Sequence, residues 1–182
     1  YRGRKNTDES RKAEQVMERR NAWLSYTEAE EKELEKVAKE YRNFLDVGKT
    51  ERECVTQIIK EAQEAGYECL EEKAAKGEKL KAGDKVYTVG MKKIVALFHI
   101  GQDDIAEGMN ILGAHIDSPR LDIKQNPLYE DTDFAYLDTH YYGGVKKYQW
   151  VTIPLAIHGV VAKKDGSVVQ VNIGEDENDP IV

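Results

Sequence analysis

Long apolar runs are missing from this 182-residue sequence. No stretch approaches the roughly 20 residues a helix needs to cross a bilayer, so no membrane partner is expected. The charged start has no apolar core of the kind a secretory signal carries. Cysteine is scarce: Cys54 and Cys69 are the only two, and they form no Cys-x-x-Cys pair. That spacing excludes a thiolate zinc motif and a dithiol redox motif, and reads as reduced thiols in a cytoplasmic protein. Basic charge is in deficit, with 27 Lys and Arg against 34 Asp and Glu, a formal net charge of −7. Nucleic-acid binding needs the opposite balance, so no nucleic-acid partner is expected. A Gly-rich phosphate loop and a Ser-nucleophile elbow are also missing, which removes the commonest nucleotide and serine-hydrolase signatures.

What is present reads as one α/β region followed by a β region. Residues 1–26 form a strongly charged arm, with a surface helix expected around Ala13–Arg20 or a solvated tail. Thr27 and Glu30 form a capping box opening a helix whose apolar stripe is Leu34, Val37, Ala38, Tyr41 and Leu45. That helix is expected to end near Gly48. Thr50 and Glu53 form a second capping box, opening a helix with Val55, Ile58, Ile59 and Ala62 on one face. Glu71–Gly83 is expected to be a loop. Val86–Val89 and the longer buried run Ile94–Ile100 are expected strands, and Met109–Ala114 a short buried strand with Gly113 inside it. Two helices followed by neighbouring strands fit one flank of an α/β/α sandwich.

After Pro119 the texture changes. Leu121–Ile123, Phe134–Thr139, Val151–Val161 and Val168–Ile173 are β-like runs with no helical period among them. Asp165-Gly166 between two β-branched runs is a hairpin signal. A second, all-β unit is expected to begin near Leu121 and to be incomplete at Val182. The expected division is therefore 1–26, 27–120 and 121–182.

The chemistry concentrates where the strand run meets Ser118-Pro119. His115 and Asp117 are two residues apart, so on a strand both face the same way. The carboxyl end of a strand in an open α/β sheet is where ligands bind. An imidazole there can ligate a metal while the carboxylate orients it. Taken alone, His-x-Asp is common, and the plain reading is a strand end followed by an Asx turn before Pro119. His99 and His158 read as ordinary strand residues, and His140 as part of a tight turn with Gly143 and Gly144.

The longer words decide between these readings. Gly-Ala-His-Ile-Asp-Ser-Pro-Arg-Leu-Asp, followed some twenty residues later by His-Tyr-Tyr-Gly-Gly-Val-Lys-Lys-Tyr-Gln-Trp, resembles the aspartyl/lysyl aminopeptidases. These are two-metal zinc exopeptidases, and the likeness is closest to their clostridial-type bacterial branch. It runs from about Thr27 to Val182. The resemblance implies that His115 is a metal ligand and that Asp117 is a carboxylate beside the bridging solvent, counted with the catalytic residues. It implies an α/β peptidase domain with an inserted β-domain, two Zn²⁺ ions (Co²⁺ or Mn²⁺ as substitutes) and a peptide substrate. It also implies homo-oligomers, dodecamers in the family, and that the remaining ligands and the general base lie beyond Val182. The chain is accordingly expected to be the N-terminal part of a longer enzyme, inactive by itself. The alternative is a non-catalytic oligomerisation or interaction module.

Overall fold

The computed structural model describes residues 21–176 and Asn178. The helix expected around Ala13–Arg20 lies outside the described residues. The chain divides into two compact units, Tyr1–Arg42 and Asn43–Val182.

In the first unit a 3-10 turn at Ala22–Leu24 precedes most of helix α1, Glu28–Val47. The capping box forms: Thr27 N–H donates to Glu30 Oε2 at 2.8 Å, and Glu30 N–H donates to Thr27 Oγ1 at 3.4 Å. Lys32 pairs with Glu28 one turn away at 2.8 Å, a minor support on an exposed surface. The apolar stripe of α1 stays largely open to solvent, and no residue of the helix is fully buried. As expected the helix stops at Gly48, whose N–H returns to the Phe44 carbonyl at 2.9 Å. A Cβ at this glycine would lie 2.8 Å from Cys54 Sγ, so the small residue permits the close turn into the next helix.

Helix α2, Glu51–Glu64, carries the second capping box, with Thr50 N–H donating to Glu53 Oε2 at 2.9 Å. It packs against a three-stranded sheet of β1 (Glu68–Cys69), β2 (Lys85–Gly90) and β3 (Ile94–His99). β1 runs parallel to β2, and β3 is antiparallel to it. The parallel pair needs a crossover, and a short helix α3, Leu70–Ala75, lies in it. That helix corrects part of the expected Glu71–Gly83 loop. Lys73 pairs with both Glu68 and Glu78, which ties α3 to its flanks and explains how so charged a segment holds a turn of helix. The core is Cys54, Val55 and Ala62 from α2 with Val86 and Tyr87 from β2, Val86 being wholly inaccessible. Tyr87 keeps its hydroxyl satisfied by accepting from Gln63 Nε2 at 2.9 Å.

Met109–Ala114 differs from expectation: it forms no strand and pairs with no other segment among the described residues. Leu112 is 99% exposed and Ile111 80%. An apolar run becomes a buried strand only when a neighbour accepts and donates its ladder hydrogen bonds, and none of the described strands flanks it. Ile94–His99 does form a strand, but several of its side chains, Ile94 and Phe98 among them, remain exposed rather than buried.

Beyond Pro119 the chain makes two antiparallel hairpins, β4–β5 (Arg120–Asp131 with Phe134–Tyr142) and β6–β7 (Ile157–Ala162 with Val168–Ile173). One four-residue helix, α4 (Lys147–Trp150), lies between them, and Val151–Pro154 is turn rather than strand. The β4–β5 turn places Thr132 and Asp133 at positive φ, the handedness that suits a tight hairpin. Between the pairs Ile123–Thr139 and Leu128–Leu137, four residues of β4 oppose one of β5. Pro127, which has no N–H to give, lies inside that irregularity. Asp165-Gly166 does turn the second hairpin, with Lys163 N–H donating to the Ser167 carbonyl at 2.8 Å. Overall the chain is of α/β type.

Candidate functional site

His115 and Asp117 sit in the irregular segment that leads into β4. Their placement comes from two neighbours rather than from a strand of their own. The buried Cys54 thiol at the start of α2 points at the Ile116 carbonyl, 3.6 Å away, and at the Gly48 carbonyl, 3.4 Å away. Burial, with the nearby Glu53 and Glu51 carboxylates, pushes this thiol's pKa up, so it stays protonated and able to donate. On the other side, Tyr142 at the end of β5 donates its hydroxyl to Asp117 Oδ2 at 2.6 Å. That bond is the main reason the Asp117 carboxyl lies below its ordinary pKa, and the same bond raises the Tyr142 phenol.

His115 Nδ1 faces the Asp117 carbonyl at 3.1 Å and Asp117 Oδ1 at 3.2 Å. Both are acceptors, so Nδ1 carries the proton and the neutral ring has its lone pair on Nε2. The imidazole side chain is 86% exposed, and no protein hydrogen bond engages Nε2 among the described residues. A carboxylate holding one ring nitrogen so that the other faces outward is the arrangement a metal-binding histidine requires. The pair therefore fits one corner of a metal site. It does not complete one: among the described residues no three His, Cys, Asp or Glu side chains converge. The surrounding open cavity of about 390 Å³ is lined by Glu51, Lys93, Ile94, His115, Asp117 and Tyr142 among others.

The profile of the aminopeptidase I zinc metalloproteases (M18) matches residues 44–182. The chain belongs to this family. A probable M18 family aminopeptidase 1 from Clostridium acetobutylicum is 58% identical over 166 residues, 91% of this chain and 36% of that protein. The crystal structure of aminopeptidase I from Clostridium acetobutylicum superposes with a TM-score of 0.75, covering 89% of this chain and 36% of the other. Aminopeptidase I from Borrelia burgdorferi B31 gives 0.81 at 40% identity, covering 89% of this chain and 39% of that one. The chain thus spans little more than a third of the relatives it matches.

Within this M18 chain the other histidines separate cleanly. His99 ends β3 opposite Lys85, exposed, as an edge histidine should. His140 turns its ring back onto the Tyr141 carbonyl. His158 is more than strand packing: with only 9% of its side chain exposed, it lies between Glu53 Oε1 at 2.8 Å and Glu175 Oε1 at 2.7 Å. Burial pulls this imidazolium's pKa down, but the two carboxylates outweigh burial and the net shift is upward. Sequence spacing could not find it, since Glu53 is 105 residues away. Arg120 is likewise a junction, reaching Glu51 Oε1 at 3.1 Å and Asp122 Oδ1 at 2.7 Å, with its guanidinium 4.2 Å over the Tyr142 ring.

Proposed function

We propose that His115 and Asp117 are one corner of the two-zinc site of an aminopeptidase that removes N-terminal residues from peptides. In this reading His115 is a metal ligand and Asp117 the carboxylate that orients it. The observation that carries it is that His115 Nδ1 faces two acceptor oxygens of Asp117, an arrangement that calls for the ring proton on Nδ1 and leaves Nε2 to bind. Bound zinc would polarise the scissile carbonyl and lower the pKa of a bridging water. Asp117 keeps the ring in one tautomer and, with its own pKa lowered, presents full negative charge behind it at neutral pH. The remaining ligands and the general base are assigned to the portion of the whole protein that its relatives have beyond this third. Residues 121–182 would form a β-insert on the catalytic domain, and the whole protein would work as a cytoplasmic homo-oligomer, dodecameric as the resemblance implies. The open face of β4–β5 that carries Phe134 and the stacked Tyr129 and Tyr136 supports the oligomeric part.

The test is made in the full-length protein. His115→Ala should lower zinc occupancy, read by chelator competition, and abolish hydrolysis of a panel of N-terminal residue substrates. Asp117→Ala should weaken zinc by roughly 10–100-fold. Full activity of the His115 variant at trace zinc would sink the assignment.

A further inference from the structure

The motif His140–Gly144 has an anchor in the structure but no role in the chemistry so far. We propose that Tyr142 is a positioning residue that fixes the Asp117 carboxylate, and through it the His115 ring, so that the β4–β5 hairpin sets the metal affinity of the site. This rests on the reading of His115 as a ligand.

The two oxygens of Asp117 are held from two directions. Oδ1 meets His115 Nδ1 at 3.2 Å, and Oδ2 accepts from the Tyr142 hydroxyl at 2.6 Å. Without the second contact the carboxylate can rotate away from the ring, because half-exposed aspartates have several staggered states to choose from. Tyr142 is itself held. It sits directly across the ladder from Arg120, whose guanidinium stacks on its ring at 4.2 Å. Arg120 is pinned in turn by Glu51 of α2 and by Asp122. The next residue, Gly143, has φ of +72°, and its backbone lies against Pro119, where a Cβ would come within 3.4 Å of the proline. The turn is thus seated on the Asp117–Pro119 segment at two successive residues. A hairpin-end tyrosine with no such task would extend its hydroxyl into water. Because the phenol proton is given to Asp117, Tyr142 acts through that carboxylate and not on a substrate.

Tyr142→Phe removes the hydroxyl and keeps the ring that Arg120 covers. In the full-length protein it should raise the zinc dissociation constant roughly 3–10-fold, below the usual loss for a direct partner of a ligand. It should also lower kcat with KM nearly unchanged, and shift the visible absorption of the Co²⁺-substituted protein. In the Asp117→Ala background the same substitution should do nothing further, since paired effects through one group are not additive. Tyr141→Phe, the neighbouring control, should leave zinc affinity unchanged. Unaltered zinc binding in Tyr142→Phe, or an undiminished loss in the Asp117→Ala background, overturns the proposal. A zinc loss matched by partial unfolding of the metal-free variant overturns it as well, by assigning Tyr142 to the scaffold. His115→Ala runs beside these variants: if it binds zinc like the wild type, the ligand assignment itself has failed, whatever Tyr142 does.

Discussion

The block of α2 with β1–β3 and the pair of hairpins after Pro119 are built on different principles. The block owns every fully buried side chain among the described residues, from Cys54 and Val55 to Val86 and Tyr87. The hairpins are well paired along their backbones, yet Phe134, Val161, Val168 and Ile173 are open to solvent. What joins the hairpins to the block is polar: Arg120 to Glu51, His158 to Glu53, and the Ile116 carbonyl to the Cys54 thiol. Apolar burial is non-directional and sets how stable a region is, while hydrogen bonds and ion pairs set where it points. The block therefore supplies stability and the hairpins supply orientation, and the candidate site lies where the two meet.

The sharpest break in this comparison would be catalysis by the 182-residue chain itself. With one imidazole and one carboxylate in place and no three ligands converging among the described residues, none is expected. Turnover of N-terminal residue substrates with excess Zn²⁺, Co²⁺ or Mn²⁺ would move the catalytic residues elsewhere in this chain. Next in size is the packed block. Val86→Ala should cost about 2 kcal/mol in urea denaturation, the transfer and cavity loss for a fully buried valine. Val168→Ala on the exposed edge of β7 should stay under about 0.5 kcal/mol. Equal losses at the two positions would erase the distinction between the regions.

The polar joint should respond to pH. His158→Gln should cost about 1–2 kcal/mol near pH 6, reduced from a fully buried charged link because Glu175 is half open to water. The His158 pKa is raised on folding, so its contribution is full below the ordinary value of 6.5 and is lost as pH climbs through the folded value. For Glu53, burial alone would raise the pKa, but the His158 and Thr50 hydrogen bonds lower it overall. Its contribution is full above 4.5 and is lost as pH falls through the folded value. The gap between wild type and variant should thus be widest between about pH 4.5 and 6.5, and a pH-independent gap would show that the ring acts by packing alone. The charged groups facing the ring are Glu53 from α2 and Glu175 from the segment after β7.

Local signals carried well from sequence to structure. Both capping boxes, the stop at Gly48 and the hairpin at Asp165-Gly166 are short-range devices whose partners lie within a few residues. Met109–Ala114 did not carry, because whether an apolar run becomes a strand depends on a neighbour at long range. Helix α3 was hidden by its charge, since the Lys73 ion pairs that hold it depend on the fold of the flanking segments. At the candidate site the His-x-Asp pair was legible, but its supports were not. Tyr142 reaches Asp117 across 25 residues and Glu53 reaches His158 across 105, and no periodicity encodes such distances.

The first turn of α2 is where these long reaches end. Glu51, Glu53 and Cys54 each hold a different downstream segment, while Glu53 also closes the helix's own capping box through Thr50. Fraying that single turn would release Arg120, His158 and Ile116 together. The opening events of this region should therefore be collective rather than piecemeal. In native-state hydrogen exchange, the amides of the α2 first turn and those of β6 should share one opening free energy and one denaturant dependence. Thr50→Ala, at a residue whose side chain hydrogen-bonds only within the capping box, should accelerate exchange across the whole set at once, making a helix cap the hinge on which the metal corner's mobility turns.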